Sequence, residues 1–323
     1  MKILITGGSG FIGTNYVQSA LDKGCEILNI DIKPPANKEH NKFFIECDIM
    51  DYEKMLKIIR NFSPEYVVHL AAKTGAHSIT NIKEFAPNIQ GVQNLINAIN
   101  EVTSIKRVIF TSTLLVCKVG YIPKCDTDYM PTTAYGKSKV EGEKIVRNLK
   151  DEKFIWTIIR PISVWGPWMN EPYLDFFNAV SKGWYFHIGN GHYRRSMGYV
   201  ENIAHEIHSI LNAPEQKVDK KTFYVADLEP TDLYEFAEKV KNQLNAPRIK
   251  HIPLSIIKSV AKLGDLLKYF GWKNVPMSSF RLNNMRTEYI FDLSPIKDIS
   301  GCLPYTMDMA IARTVDWYKN KKH

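Results

Sequence analysis

Short apolar runs alternate with amphipathic stretches along the first half of the chain. The apolar runs are nearly uninterrupted, which is typical of strands covered by helices on both faces of a parallel sheet. Strands are predicted at 2–6, 26–30, 43–45, 66–70, 107–112 and 154–159, and helices near 11–23, 51–61, 88–102 and 135–149. This alternation predicts an α/β fold with a doubly wound parallel sheet.

The pattern changes after the sixth apolar run. Aromatic, glycine and proline residues crowd 165–198, and a strand-like run at 222–227 lies among the later helical patterns. Those helices are predicted at 201–212, 231–244 and 254–269. We therefore predict two units, 1–165 and 166–323, with the 201–212 helix packing back on the first. Since no repeat or flexible linker separates the units, we expect them to share one cleft.

Composition narrows the class of partner. Of the 323 residues, 45% are apolar and 24% charged, which is enough for a sizeable core. No apolar run approaches the roughly 18 residues that span a bilayer. The five cysteines are scattered without a C-x-x-C pair, which favours a reduced, cytoplasmic setting. The net charge of +8 is spread along the chain, so we expect no nucleic acid or membrane partner and an acidic small-molecule substrate.

Three glycines follow the first predicted strand and open the first helix, in the segment ITGGSGFIG. Gly7, Gly10 and Gly13 have the spacing at which a tight turn and a close backbone approach require residues without a Cβ atom. The helix N-terminus adds free N–H groups and the positive end of a dipole, which suit a pyrophosphate. The glycines predict a dinucleotide site in 1–165, and a strand–helix turn without a ligand is the alternative.

An acidic residue after the second strand sharpens this prediction. Asp31 lies 18 residues past Gly13, where a carboxylate accepts hydrogen bonds from the adenosine ribose hydroxyls and repels a 2′-phosphate. It favours NAD over NADP, although the nearby Lys33 is of a type that binds phosphate. Asp48, after the third strand, is placed either to meet the adenine amino group or to cap the following helix.

A tyrosine and a lysine one helical turn apart form the candidate catalytic pair. Tyr135 and Lys139, in TTAYGKSK, begin the helical pattern after the fifth strand, so both side chains lie on one face. A phenol titrates near about pH 10 in water, and a lysine ammonium together with a positive nicotinamide ring lowers that pKa. Two further Tyr-x-x-x-Lys matches begin at Tyr269 and Tyr318. The match at Tyr269 is interrupted by FGW, and the match at Tyr318 lies in the charged tail.

The joint pattern resembles an extended short-chain dehydrogenase/reductase of the NAD-dependent nucleotide-sugar epimerase/dehydratase family. The matching segments lie within 1–210 and are GGSGFIG with Asp31, VVHLAA at 67–72, NIQG at 88–91, the Ser/Thr strand, YGKSK, RPISVWGP at 160–167 and RRSMGYVENIA at 194–204. The resemblance implies a Rossmann-like sheet that binds NAD and a smaller C-terminal substrate-binding domain. The predicted cofactor-binding set is Gly7, Gly10, Phe11, Ile12, Gly13, Asp31, Ile32, Lys33, Asp48, Ile49, Leu70, Ala71, Ala72, Asn88, Thr111, Tyr135, Lys139 and Pro161.

The resemblance also implies that Thr113, Tyr135 and Lys139 form the catalytic set. Thr113 is preferred over Ser112 because the family's catalytic hydroxyl stands three positions before the valine of a V-Y-G motif, and Val116 fits that count. Thr113 would hydrogen-bond the substrate oxygen while Tyr135 removes or returns its proton, and Lys139 would also hold the nicotinamide ribose. A hydroxyl that merely ends a core strand is the alternative for Thr113.

Two leucines follow this hydroxyl. Family members that eliminate water carry an Asp-Glu pair there, whereas Leu114 and Leu115 can neither donate nor accept a proton. Hydride transfer remains, and we predict a nucleotide-sugar 4-epimerase that transiently oxidises the sugar C4 hydroxyl with Tyr135 as acid and base. The alternatives are a net oxidoreductase (a nucleotide 4-keto-sugar reductase or a 3-beta-hydroxysteroid-type dehydrogenase) and a non-catalytic NAD-binding regulator.

Further residues are predicted on the substrate side of the cleft, namely Thr113, Ser163, Arg195 and Arg286. Ser163 can hydrogen-bond a sugar, Arg195 matches the family's diphosphate-binding arginine, and Arg286 is a second candidate phosphate ligand. The resemblance also implies a homodimer formed through the helices at 88–102 and 135–149.

Two histidines share a helix face with an acid. His205 and His208 follow Glu201 at helical spacing, but no further ligand is suggested by the sequence. We therefore expect no metal there and a solvated helix face.

Overall fold

The computed structural model describes residues 1–75, 80–150, 152–272, 275 and 277–321. Its strands, numbered in chain order, are β1 Lys2–Thr6, β2 Glu26–Asp31, β3 Phe44–Glu46, β4 Tyr66–His69, β5 Arg107–Thr111, β6 Ile155–Pro161, β7 Val164–Trp165, β8 Phe186–Ile188, β9 Arg194–Arg195, β10 Gly198–Tyr199, β11 Lys221–Val225, β12 Thr231–Asp232 and β13 Lys250–Ile252. Seven of them form one sheet in the order β11–β6–β5–β4–β1–β2–β3, and every neighbouring pair is parallel. The predicted doubly wound α/β fold is confirmed.

Chain order reverses between the neighbours β1 and β4. Strands β1 to β3 run outward to one edge of the sheet, whereas β4, β5, β6 and β11 run outward to the other. Open α/β sheets bind ligands beyond the carboxyl ends of the strands at such a reversal. Gly7 follows β1 and Leu70 follows β4, so the predicted glycine loop lies at this point.

Helices cover both faces of the sheet. They are α1 Phe11–Asp22, α2 Tyr52–Phe62, α3 Gln90–Asn100, α4 Ala134–Arg147, α5 Tyr173–Ser181, α6 Val200–Asn212, α7 Glu215–Val218, α8 Leu233–Leu244, α9 Leu254–Tyr269, α10 Ser279–Arg286, α11 Ser294–Ser300 and α12 Met307–Asn320. Side-chain caps fix several starts: Thr133 accepts a hydrogen bond from the N–H of Gly136 at α4, at 3.0 Å. Among the described helices, none combines the length and apolarity needed to cross a membrane.

Alternate residues of each strand enter two separate cores. On β1, Ile3 and Ile5 pack into the core that includes α1 and α6, while Leu4 faces the core that includes α2 and α3. All three side chains are fully buried. Because successive side chains of a strand point to opposite faces, burial on both faces produces the uninterrupted apolar runs in the sequence.

The sheet also uses chain beyond residue 165. Helix α6 packs against α1, and β11 pairs with β6 as an edge strand; this strand is the run at 222–227 that the sequence left among the later helices. The remaining C-terminal elements build two further apolar clusters, one around Trp165 and Phe236 and one around Ile257 and Leu282. A division into units at residue 165 stays a prediction.

Candidate active site

Glycines shape the loop after β1. Gly7 has a φ of +74°, and a Cβ atom there would lie 2.4 Å from the backbone nitrogen of Ala71. At Gly13 a Cβ atom would lie 2.2 Å from the carbonyl oxygen of Gly7, so α1 starts in contact with the loop. No side chain in the described ranges caps α1 at Gly10, which leaves its first N–H groups for an anion. These features fit the pyrophosphate of a dinucleotide.

Asp31 ends β2 beside this loop. Its Oδ2 accepts a hydrogen bond from the backbone N–H of Ser9 at 3.1 Å, and its Oδ1 accepts one from that of Lys33 at 3.3 Å. Burial raises the pKa of this carboxyl. The side chain of Ile32 is exposed. The structure therefore places the acid that favours NAD at the edge of the glycine loop.

Asp48 and Ile49 follow β3. The Asp48 carboxylate is exposed, and its Oδ1 accepts a hydrogen bond from the N–H of Met50 at 2.9 Å. The alternative that Asp48 caps the following helix is wrong, because Asp51 performs this role. Ile49 is buried against Gly91 of α3. An adenine contact by Asp48 stays a prediction.

The segment after β4 forms the opposite wall. The N–H of Leu70 donates to the carbonyl oxygen of Thr6 at 2.9 Å, and that of Ala71 donates to the Thr6 hydroxyl at 3.3 Å. Leu70, Ala71 and Ala72 are all partly exposed. His69 is buried beneath them and hydrogen-bonds the Thr6 hydroxyl at 2.7 Å. Burial lowers the pKa of His69 to about 3, so the imidazole is neutral.

Asn88 connects this wall to α4. Its Oδ1 accepts a hydrogen bond from the N–H of Lys73 at 2.8 Å, and its Nδ2 donates to the Lys73 carbonyl and to the Ser138 hydroxyl, both at 3.0 Å. Both amide hydrogens are thereby used. Asn88 thus acts on the site by holding the loop after β4 against the helix that carries Tyr135 and Lys139.

The predicted catalytic side chains meet where β5 ends and α4 begins. The hydroxyl of Thr113 lies beside the phenol of Tyr135, close enough to lower its pKa. Lys139, one turn further along α4, is buried and donates from Nζ to the carbonyl oxygen of Thr111 at 2.8 Å. The Thr111 hydroxyl is itself buried without a partner in the described chain. Pro161, at the end of the neighbouring β6, is buried as well.

Burial shifts the proton affinities of the pair in opposite directions. It raises the pKa of Tyr135 to about 12, and the neighbouring Thr113 hydroxyl opposes this rise. It lowers the pKa of Lys139 to about 8, which the negative charge of Glu143 partly reverses. The phenol is therefore protonated at neutral pH in the free protein. A lysine charge held in such a low-dielectric setting acts strongly on nearby groups.

The adjacent hydroxyls of Ser112 and Thr113 have different partners. Ser112 donates to Oε1 of Glu143 at 2.5 Å. Thr113 Oγ1 contacts Tyr135 and also accepts a hydrogen bond from the N–H of Leu115 at 3.2 Å. The structure thus brings Thr113 to the phenol and assigns Ser112 to a buried ion pair.

Glu143 and Arg160 form a buried ion pair that the sequence pattern did not predict. Arg160 of β6 has no exposed surface and donates from Nε and a terminal nitrogen to the two carboxylate oxygens of Glu143, at 2.8 and 2.7 Å. The Tyr129 hydroxyl and Arg147 also donate to Glu143, at 2.9 and 3.3 Å. The pair fixes α4 on the sheet and so fixes the face that carries Lys139. The sequence feature that could have indicated this ion pair is the arginine within the apolar run of β6.

The substrate-side residues surround a tyrosine that the sequence analysis did not single out. The Ser163 and Tyr289 hydroxyls lie 2.9 Å apart. The guanidinium of Arg195 lies 5.2 Å from the centre of the Tyr289 ring, and its Nε donates to the carbonyl oxygen of Thr287 at 3.0 Å. Arg286 immediately precedes Thr287 at the end of α10. Ser163 and Arg195 therefore meet at Tyr289, whereas the Arg286 side chain donates from Nε to the Tyr193 hydroxyl at 3.0 Å.

The expectation of a solvated face on α6 is wrong. This helix packs against α1 and α11, and the ring Nε2 of His205 lies 3.0 Å from the carbonyl oxygen of Ser300. Burial lowers the pKa of His208 to about 4. Glu201 pairs with Arg313 at 3.0 Å. Within the described residues there is no group of three or more side chains of the types that hold a metal ion.

The competing Tyr-x-x-x-Lys matches have no such setting. The side chain of Tyr269 is 84% exposed, and Tyr318 donates to Asn178 in a different apolar cluster. Lys273 and Lys322, the lysines of these two matches, lie outside the described residues.

The fold and the site together define a dinucleotide-dependent enzyme with a tyrosine and a lysine at its centre. The chain belongs to the NAD dependent epimerase/dehydratase family, whose family model matches residues 3–226. It is an NAD-dependent enzyme of the extended short-chain dehydrogenase/reductase type. The glycine cradle, the uncapped α1 and Asp31 fit this cofactor.

The names of the related proteins indicate different substrates. The UDP-glucose 4-epimerase of Vibrio cholerae is 30% identical over 279 residues, 81% of this chain and 82% of that protein. The N-acetyl-alpha-D-glucosaminyl-diphospho-ditrans,octacis-undecaprenol 4-epimerase of Escherichia coli O157:H7 is 25% identical over 327 residues, 98% of this chain and 95% of that protein. A 3-beta-hydroxysteroid dehydrogenase of Mycolicibacterium neoaurum is 27% identical over 261 residues, 74% and 69% of the two chains.

A solved structure has the same fold over the whole chain. The crystal structure of UDP-glucose 4-epimerase with UDP-glucose from Thermotoga maritima superposes with a TM-score of 0.76, covers 100% of both chains and is 22% identical.

Proposed function

We propose that this protein is an NAD-dependent sugar 4-epimerase that acts on a nucleotide sugar. The observation that carries the proposal is the contact of Thr113 with Tyr135, one turn from the buried Lys139, at the ends of β5 and α4. Leu114 and Leu115 follow directly and offer no acid or base. The site thus has the groups for moving one proton and none at these positions for eliminating water.

The three side chains divide the proton chemistry. In the NAD-bound protein the Lys139 ammonium and the positive nicotinamide ring would lower the pKa of Tyr135, and the resulting phenolate takes the proton of the sugar C4 hydroxyl and returns it at the end of the reaction. Thr113 donates a hydrogen bond to the same sugar oxygen and keeps it beside the phenol. The buried Lys139 ammonium stabilises negative charge on the phenol oxygen. Bound NAD supplies the hydride acceptor and donor.

Both 4-epimerase relatives are named for a sugar carried on a diphosphate. Arg195 and Arg286 suit such a substrate because a guanidinium fork binds phosphate oxygens in pairs. In the free protein Nε of Arg195 is held by a backbone carbonyl of Thr287 and its ring partner is Tyr289. These contacts hold Arg195 near Ser163, which supports a role for Arg195 in substrate binding.

A net oxidoreductase is the second candidate, supported by the likeness to a 3-beta-hydroxysteroid dehydrogenase. Incubation of the NAD-loaded protein with a panel of nucleotide hexoses separates the two. A 4-epimerase converts one hexose into a mixture of its two C4 epimers without accumulating NADH. A dehydrogenase or reductase changes the NADH concentration in step with the product. Tight NAD binding with no turnover of any sugar or alcohol would instead favour a non-catalytic regulator.

Thr113→Val is expected to lower kcat/KM by about 10–100-fold, the effect of one hydrogen bond to a group that becomes charged. Since Thr113 lowers the pKa of Tyr135, its loss raises that pKa and moves the acidic limb of the pH profile to higher pH. Thr113→Ser restores both the kcat/KM and the pH profile. Ser112→Ala is the matched control, and it lowers thermal stability more than activity because Ser112 bonds Glu143. Wild-type activity and pH profile in Thr113→Val would contradict the assigned role.

A further inference from the structure

The exposed large apolar side chains of the described chain concentrate on α9 and the turn that follows it. We call this set the α9 surface; its members, which are 45–84% exposed, are Ile256, Val260, Leu263, Leu266, Tyr269, Phe270 and Trp272. Single exposed apolar residues are ordinary, whereas a contiguous patch marks a site of interaction.

The helix is apolar on two sides. Ile257, Ala261 and Gly264 point inward, and a Cβ atom on Gly264 would overlap the carbonyl oxygen of Met277. Ile256 and Val260 of the α9 surface are spaced by four residues and continue at intervals of three, which places them on the outer side. Ile257 and Ala261 on the inner side belong to the apolar cluster around Ile257 and Leu282. Core packing therefore explains the apolar residues of the inner side but not those of the outer side.

The charges beside the α9 surface are mostly positive. Lys258 and Lys262 are exposed beside it, whereas Lys268 donates from Nζ to the buried Ser278 hydroxyl at 3.4 Å and therefore lies towards α10. Asp265 accepts hydrogen bonds from the N–H of Ser279 and therefore faces α10. The outer face combines apolar side chains with cations. A second copy of this face would bring like charges together, which disfavours self-association through it.

We propose that the α9 surface docks on an anionic lipid bilayer. A basic amphipathic helix with this pattern lies in the plane of the membrane interface, with its apolar side among the acyl chains and its lysines at the lipid phosphates. With 16 residues, α9 lies along the interface. Tyr269 is the last residue of α9, and Trp272 lies in the turn that follows it. Tyrosine and tryptophan are the two residue types that favour the headgroup region.

Docking there brings the substrate side of the cleft close to the lipid headgroups. The inner side of α9 packs on α10, and α10 ends at Arg286 beside the carbonyl that holds Arg195. This consequence rests on the proposed function, in which the two arginines bind the diphosphate of the sugar substrate.

Sedimentation of the full-length NAD-loaded protein with vesicles tests the docking without any substrate. Binding to phosphatidylcholine vesicles that contain about one third phosphatidylglycerol is expected to exceed binding to pure phosphatidylcholine by about tenfold or more, and to fall with salt. Val260→Glu/Leu263→Glu abolishes binding to both. Lys258→Gln/Lys262→Gln weakens binding to the anionic vesicles by about fivefold per lysine.

The matched control is Lys54→Gln/Lys57→Gln, which removes two exposed lysines of α2 and should bind vesicles as the wild type does. Unchanged NAD affinity in all variants shows that they are folded. Absence of vesicle binding by the wild type, or equal loss in the α2 control, overturns the proposal. So does a wild-type oligomer that Val260→Glu/Leu263→Glu dissociates in sedimentation velocity while vesicle binding persists, since the surface would then cover a second copy. Vesicle binding is measured without substrate, so the result can be interpreted even if the protein is not a 4-epimerase.

Discussion

Tyr135→Phe is expected to lower kcat by about 10²–10⁴-fold, the contribution of a positioned acid–base group. Only the phenol oxygen is removed, so the ring keeps its packing against Phe85, whose centre lies 5.9 Å away. The thermal midpoint and the affinity for NAD should therefore remain close to those of the wild type. Epimer formation measured by chromatography, calorimetric titration with NAD and thermal melting give the three values.

Tyr66→Phe is the matched control, because Tyr66 lies at the amino end of β4, whereas the site lies beyond the carboxyl ends of the strands. It should retain full activity. If Tyr135→Phe retains more than about one tenth of the wild-type rate, the proton is carried by another group and the assignment of Tyr135 fails.

Glu143→Gln is expected to lower the free energy of unfolding by about 3–5 kcal/mol, because it leaves the charge of Arg160 buried without its partner. Arg160 has no exposed surface and donates a hydrogen bond to each carboxylate oxygen of Glu143. Urea denaturation gives the loss. Glu101→Gln, which breaks an exposed pair with Arg60, should cost about 1 kcal/mol or less.

A double-mutant cycle and a pH series separate the ion pair from simple loss of packing. Glu143→Gln/Arg160→Met should cost much less than the sum of the single changes, because no unpaired charge is left. Burial raises the pKa of Glu143, but Arg160, Ser112 and Tyr129 lower it more, so the net pKa lies below its usual range. The wild-type advantage is thus present above the unfolded pKa and shrinks as the pH falls below about 4. Additive single effects would contradict the coupling.

Much of the fold could be predicted from the sequence because its signals are local. The strands and helices of the first half lie within two residues of their predicted bounds, since burial on both faces of the sheet leaves uninterrupted apolar runs. The glycine loop, Asp31 and the pair Tyr135/Lys139 were also found, because a turn and a helical repeat fix their spacing. The edge strand β11 was misplaced, since pairing with β6 depends on residues about sixty positions earlier.

The sequence by itself determined the parallel sheet, the dinucleotide loop, the preference for NAD and the absence of an acid or base at positions 114 and 115. The tertiary structure decided which hydroxyl meets Tyr135, that Glu143 and Arg160 form a buried pair, and that Tyr289 joins Ser163 to Arg195. It also decided that one apolar side of α9 faces outward. The physical reason is that chain periodicity specifies each element and its faces, whereas side-chain partners and the exposure of a face depend on which distant elements pack together.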